Sequence, residues 1–269
     1  MSARATSLSS LFTQLDELAA SGYIPTHRTG DTGIGKTLED VLGIDENNRA
    51  GADHLGVELK STRRESTASI TLFTKSPPES DRALWGRDLI ESVGYTDDKD
   101  RTALKCSITP TPNAQGLFLD VAEEGVHIEH ESLGNIATYP FEIVVEKLQE
   151  KLATVVLVEA DVKRKTDGEQ FWYRTGWLLS APSLVKVRAL LESGDLSVEF
   201  RRHLTEDGSE RNRGTAWRVT DVEAFKSLYA SAIQLYDYGN VGVQSSPRVS
   251  VELPQSATQN RVTRLDEFV

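Results

Sequence analysis

The sequence predicts a mixed α/β fold, a central mixed β-sheet flanked by helices, from three observations. Apolar residues recur at helical spacing in several separate segments, and elsewhere they alternate with polar ones at period two. The strand-like runs cluster instead of alternating regularly with helices. The chain of 269 residues is long enough for one large domain or two modest lobes with a sizeable core.

Leu8, Leu11, Phe12, Leu15, Leu18 and Ala19 mark an opening amphipathic helix. A polar, Gly-rich stretch, SGYIPTHRTGDTGIGKT, leads to a short helix around TLEDVLGI. From Gly56 the period becomes two: Val57, Leu59 and Ser61 share one face of a strand, and Glu58, Lys60 and Thr62 the other. STASITLFT is a second strand, SDRALWGRDLIESVG a helix, and RTALKCSIT, GLFLDVAE and GVHIEHE three further strands. Phe141, Val144, Val145, Leu148 and Leu152 space a helix that leads into a hairpin, TVVLVEADVK and EQFWYRTGWLL about the turn KTDG. After a helix opened by Pro182 and Ser183 come the strands DLSVEFRRHL and RNRGTAWRV. Thr220 and Glu223 have capping-box spacing before a last helix carrying Val222, Phe225, Leu228, Tyr229 and Ala232. No internal repeat is visible, and the pattern dissolves beyond residue 237.

No run approaches 18 consecutive apolar residues, which excludes a membrane-spanning helix. The N-terminus lacks the apolar core of a secretory signal, and a single cysteine, Cys106, excludes a disulfide framework; both fit a cytoplasmic protein. Thirty basic against 41 acidic residues give a net charge of −11, which argues against indiscriminate coating of nucleic acid. The distribution is uneven, however. Basic residues concentrate at Lys60, Arg63 and Arg64, at Lys163 to Lys165, and at Arg201, Arg202, His203, Arg211, Arg213 and Arg218.

Two motifs overlap in the first quarter of the chain. GDTGIGKT satisfies G-x-x-x-x-G-K-[ST], in which backbone amides cradle phosphates, Lys36 reaches the terminal one and Thr37 holds magnesium. Its context is wrong: SGYIPTHRT precedes it where a buried parallel strand is needed, and the following helix is barely two turns long. The second motif combines Glu39, Asp53, Glu58 and Lys60. Strand periodicity puts Glu58 and Lys60 on one face, the GADHLG turn can fold Asp53 back towards it, and Glu39 arrives from the short helix. Three carboxylates with a lysine suit phosphodiester hydrolysis, because magnesium takes oxygen ligands and makes bound water more acidic. An isolated E-x-K is more often the solvated face of an edge strand, so the upstream acids carry the argument.

Gly30 to Arg64 resembles the catalytic region of the MvaI/BcnI restriction endonucleases, relatives of the MutH mismatch-repair nickase, whose pattern reads G-I-G-x-T-L-E, G-x-x-E-N-N and D-x-x-x-x-E-L-K. RNRGTAWRV is similar to the family's H-x-x-G-T-[AG]-[FW]-R segment. The resemblance implies a restriction-endonuclease-like, MutH-type core and a magnesium-dependent endonuclease for double-stranded DNA. It implies that Asp53 and Glu58 bind Mg2+, that Lys60 assists the nucleophile and that Glu39 completes the acidic cluster. It further implies a monomer that nicks one strand at a time at a short specific site, in restriction or in strand-directed repair. A catalytically inactive DNA-binding module is the rival reading.

The expected organisation is a catalytic lobe at residues 1–180, a DNA-recognition subdomain at 181–236 and a flexible tail at 237–269, with the two lobes holding DNA from two sides. Arg63, Arg201, His203, Arg211, Arg213 and Arg218 are the expected DNA-binding residues, Arg213 and His203 foremost for base edges. His54 is a candidate neighbour of the metal ligands, and Cys106 and the aromatic residues Trp172, Tyr173 and Trp177 are expected to pack. The terminal QNRVTRLDEFV loosely resembles peptides that bind sliding clamps.

Overall fold

The computed structural model describes residues 5, 7–44, 55–166 and 168–239. Asp53, His54, the Glu46–Asn48 part of the motif and the clamp-like peptide lie outside the described residues. In chain order the elements begin with α1 (Leu8–Ala20), β1 (Ile24–Pro25), α2 (Gly33–Leu42), β2 (Glu58–Arg63), β3 (Ile70–Thr74) and, after a 3-10 turn, α3 (Gly86–Val93). Then come β4 (Tyr95–Thr96), β5 (Thr102–Ile108), β6 (Leu117–Val121), β7 (Gly125–His130), β8 (Gly134–Pro140), α4 (Phe141–Leu152) and β9 (Thr154–Lys165). The chain continues with β10 (Gly168–Pro182), α5 (Leu184–Ser193), β11 (Leu196–Leu204), β12 (Glu210–Asn212), β13 (Ala216–Val219), α6 (Val222–Ser227) and β14 (Tyr229–Asp237). No helix among the described residues is long and apolar enough to cross a membrane.

These elements form two compact units that are discontinuous in sequence, where the sequence reading drew contiguous segments. The first gathers Met1–Thr67, Gln149–Pro182 and the strand from Tyr229. It holds a sheet in the order β1-β10-β9-β2, with β14 also on β10. β2 pairs with β9 in parallel and the other pairs are antiparallel, which makes the sheet mixed as expected. One face carries Leu59, Val156, Val158, Ala160, Phe171 and Tyr173, packed with Leu11, Leu15 and Leu18 of α1 and with Ile34, Leu38 and Leu42 of α2. The helices form where predicted because their apolar stripes have this face to cover. A reciprocal Ser7–Ser10 cap starts α1, and Gly43, in the left-handed region, stops α2.

The second unit gathers Ala68–Leu148 and Ser183–Leu228. Its larger sheet runs β3-β13-β11-β5-β4 with β12 on β11, and β6-β7-β8 form a separate meander. Trp217 is fully buried, stacked on Phe73 at 5.5 Å and edge-on to Tyr139 at 5.2 Å. RNRGTAWRV is broken into β12 and β13 at Gly214, where φ is +86° and an added Cβ would fall 2.2 Å from Thr74 Cγ2.

Three expectations change. The helix sought over residues 80–94 forms only at α3, and β8 was not anticipated. The last helix stops at Ser227, with Asp221 rather than Thr220 as its N-cap, accepting from the Ala224 amide. Tyr229 and Ala232 belong instead to β14, which extends through residue 237, where the tail was expected to begin. The long edge of β10 decides this, since it takes Tyr229 to Asp237 as an antiparallel partner and so pairs its own edge N–H and C=O groups, which a continued helix would leave to water.

Arg202, read in sequence as part of a basic run, is wholly buried on the core side of β11. Its guanidinium lies 3.8 Å from the Trp85 ring centroid, donates to Thr215 Oγ1 at 3.1 Å and meets Glu210 at 3.4 Å. Burial brings its pKa down to about 10. Arg202→Ala is expected to cost about 3 kcal/mol, because it strands buried partners. Arg211→Ala, on the exposed β12, is expected to cost under about 0.5 kcal/mol. Urea unfolding of the two variants checks the contrast.

Candidate functional site

Among the described residues β2 is an edge strand paired to β9, with Glu58 opposite Val155, Lys60 opposite Leu157 and Thr62 opposite Glu159. Period-two alternation turns Leu59 and Ser61 towards the helix-covered face and Glu58, Lys60 and Thr62 to the other, as the sequence predicted. Lys60 Nζ donates to Glu58 Oε1 at 2.9 Å, with the carboxylate 11% and the ammonium 18% exposed. Tyr229, at the start of β14, is close enough for Glu58 to raise its pKa, in addition to the larger effect of burial.

The same face carries groups that the sequence reading did not single out. Glu159, buried on β9, pairs in register with Thr62 and with Thr175 of β10. Thr175 in turn donates to Asp237 Oδ1 at 3.3 Å. The signal for Glu159 is a carboxylate that follows directly on the apolar run VVLV.

Glu39 stands half-buried on α2, which covers the reverse face of β2. Its charge contributes to the raised pKa of Tyr173, whose hydroxyl donates to Ile34 O at 2.6 Å. The described residues thus bring Glu58 and Lys60 together and put Glu39 on a neighbouring element. Among them no group of three or more His, Cys, Asp or Glu is arranged to hold a metal. The donor set nonetheless fits a hard dication in part: Glu58 Oε2 has no protein partner among the described residues, and Lys60 engages only Oε1.

The phosphate-loop reading fails on geometry. β1, before the glycines, is a two-residue antiparallel edge strand, GIGK is itself the first turn of α2, and Lys36 pairs with Asp40 at 2.9 Å.

The expected DNA-binding residues divide between the units. In the first, Arg63 points to the α2 side and is engaged: Nη1 donates to Asp31 O and Nη2 to Gly30 O, both at 3.2 Å, and Nη2 reaches Glu169 at 2.7 Å. In the second, Arg201 and His203 share the face of β11 opposite to that of Arg202, beside Lys105 and Ala103 of β5, with Arg201 half-buried and His203 buried. Arg201 bonds Arg213 O at 3.0 Å and Gly214 O at 3.3 Å, and so braces the β12–β13 turn. Arg218 pairs with Glu199 at 2.8 Å. Arg211 and Arg213 are exposed, with no side-chain partner among the described residues.

His203 Nε2 lies 3.2 Å from Arg101 Nη1. Arginine only donates, so Nε2 accepts and Nδ1 carries the proton. Burial first, then Arg101, Lys105 and Arg211, lower the His203 pKa, so the ring is neutral at pH 7. Arg101 and Lys105, both bonded to Asp97, complete this polar face and were missed because they lie far away in sequence.

An edge-strand E-x-K, parallel to the strand after a crossover helix and flanked by an acid-bearing helix, places the chain in the restriction-endonuclease fold class. The MvaI/BcnI restriction endonuclease family model matches residues 12–229, and the chain belongs to that family. It is a restriction-type endonuclease. The chain is 21% identical to the structure described as "Restriction endonuclease MvaI-cognate DNA substrate complex", with a TM-score of 0.69 over 86% of this chain and 99% of that one. To "Restriction endonuclease MvaI in the absence of DNA" it is 22% identical, with a TM-score of 0.52 over 87% and 99%. No curated protein matches.

The hydrogen bond from Arg63 is the main cause holding the Glu169 carboxyl below its ordinary range. A depressed carboxylate adds stability above its unfolded pKa and loses it as pH falls through the folded one. Arg63→Ala is therefore expected to destabilise by about 1–2 kcal/mol at pH 7. The gap to the wild type should narrow as pH drops from about 5 to about 3. Urea unfolding across that range checks both.

Proposed function

We propose that the protein is a magnesium-dependent endonuclease that cuts duplex DNA at a short specific sequence, one strand at a time and as a monomer. The observation that carries this reading is the 2.9 Å Glu58–Lys60 pair on the outward face of β2. In a half-buried setting such a pair adds little net stability, since desolvation offsets attraction, so its placement is better explained by chemistry.

Glu58 and Asp53 would hold the metal, with Glu39 adding to the negative field. Magnesium bound there supplies positive charge for the phosphate and makes a water more acidic. Lys60, kept in place by Glu58, would orient the attacking water, take its proton or offset charge on the phosphate as the bond breaks. The structure of MvaI with cognate DNA supports duplex DNA as the substrate.

Recognition would fall to the second unit. Arg211 and Arg213 are exposed cations able to reach phosphates or guanine edges, and neutral His203 would read by hydrogen bonding rather than by charge. Arg201 and Arg218 would act mainly by shaping the face that presents them.

Incubation with supercoiled plasmid and Mg2+ tests the catalytic reading. The wild type should nick without ATP, and Lys36→Ala should behave like it. Glu58→Gln and Lys60→Met should each lose at least about 10²–10³-fold in rate while duplex affinity stays within a few-fold. A wild type that binds but never nicks would establish the inactive-module reading instead. In a separate binding assay, Arg213→Ala should weaken duplex binding and reduce its salt dependence by about one unit of slope if the contact is to a phosphate. A preserved slope with altered cleavage-site choice would mark a base contact.

A further inference from the structure

The face that carries Glu58 and Lys60 continues past the site along the β9–β10 hairpin. β9 pairs regularly with β2 over Glu58 to Arg63 and with β10 at Lys163 and Lys165, opposite Gln170 and Gly168. Leu157, Glu159, Asp161, Lys163 and Lys165 therefore alternate onto one face, the one that bears Lys60. Arg64 opens the turn that follows β2, closed by Ser66 N–H to Arg63 O at 3.0 Å, and its amide still donates to Ala160 O at 2.9 Å, which keeps it beside β9.

The two faces of this extension use their cations differently. On the α2 side, Arg63 and Arg164 both engage Glu169, at 2.7 and 3.4 Å. Lys163 and Lys165 on the Lys60 side, and Arg64 in the turn after β2, are exposed and have no carboxylate partner among the described residues. The acid between Glu159 and Lys163, Asp161, is neutralised by Arg174 at 2.6 Å. Lys163 is held upright over the Tyr23 ring at 3.9 Å, and that ring leans on Trp172 at 5.6 Å. Trp172 is in turn anchored by its indole N–H to Ala19 O at 2.7 Å. A cation–π contact of this kind orients an ammonium without cancelling its charge.

We propose that Arg64, Lys163 and Lys165 form a phosphate track that carries duplex DNA away from the cleavage site on one side. The inference rests on the nuclease reading and adds to it a polarity and a length. Lys165 lies eight residues beyond the position paired with Lys60, which at about 3.3 Å per residue is about 26 Å, or about eight base pairs of duplex. The partner is the DNA backbone and not its bases, because lysines on an open strand face offer charge but no fixed bidentate geometry.

The test uses the full chain with a fluorescent 30-base-pair duplex of arbitrary sequence, in Ca2+ at 50–200 mM NaCl. Relative to the wild type, the slope of log affinity against log salt should fall by about 2.7 in R64Q/K163Q/K165Q, about 0.9 per lost phosphate contact. On supercoiled plasmid with Mg2+ the triple variant should keep its kcat while KM rises at least about tenfold. Should the triple variant fold poorly, K165Q alone, at the exposed tip, should lower the slope by about 0.9. An unchanged slope in a folded variant, with the wild type binding normally, overturns the track alone. A wild type that binds no duplex overturns the nuclease reading beneath it.

Discussion

The architecture of the site depends on one register, that of β2 against β9. β9 is buried from Val155 to Ala160, the stretch paired with β2, and fixes which residues of its parallel neighbour face the helices and which face away. A slip by one residue would drive Glu58 and Lys60 into the packing of α1 and α2 and put Leu59 outside, at a cost no compensating contact could offset. The apolar residues of β2 thus specify where its charged residues point. The carboxylate–ammonium pair follows from that and is not its cause.

Many cations in this acidic chain are structural. Arg63 ties the loop before α2 to β10, Arg201 and Arg218 brace the sheet of the second unit, and Arg202 is a core residue between Trp85 and Glu210. Such uses commit a planar guanidinium to fixed carbonyls and carboxylates, which suits arginine better than lysine. Arg64, Lys163, Lys165, Arg211 and Arg213, by contrast, are exposed with no ion-pair partner among the described residues. Net charge and basic runs in the sequence do not separate these two populations. Side-chain direction and partners do.

Local patterning made much of this legible. The period-two alternation about Glu58, the helical stripes of α1 and α2 and the β9–β10 hairpin are one-dimensional signals with one physical reading each. Tyr229 shows where that reasoning ends. Its surroundings fit a continued helix as well as a strand, and the waiting edge of β10 decided between them. That choice also brings the Tyr229 phenol near Glu58, which no spacing in the sequence foretells.

By itself the sequence determined the family motif, the shared face of Glu58 and Lys60 and the mixed sheet, because these follow from local period and residue chemistry. Only the tertiary structure decided that Arg202 is buried and Arg211 is not, that Glu159 joins the Lys60 face, and that residues 68–148 pack with 183–228. Those outcomes depend on pairing between strands distant in the chain. Neighbouring residues in sequence carry no record of which partner a strand edge will meet.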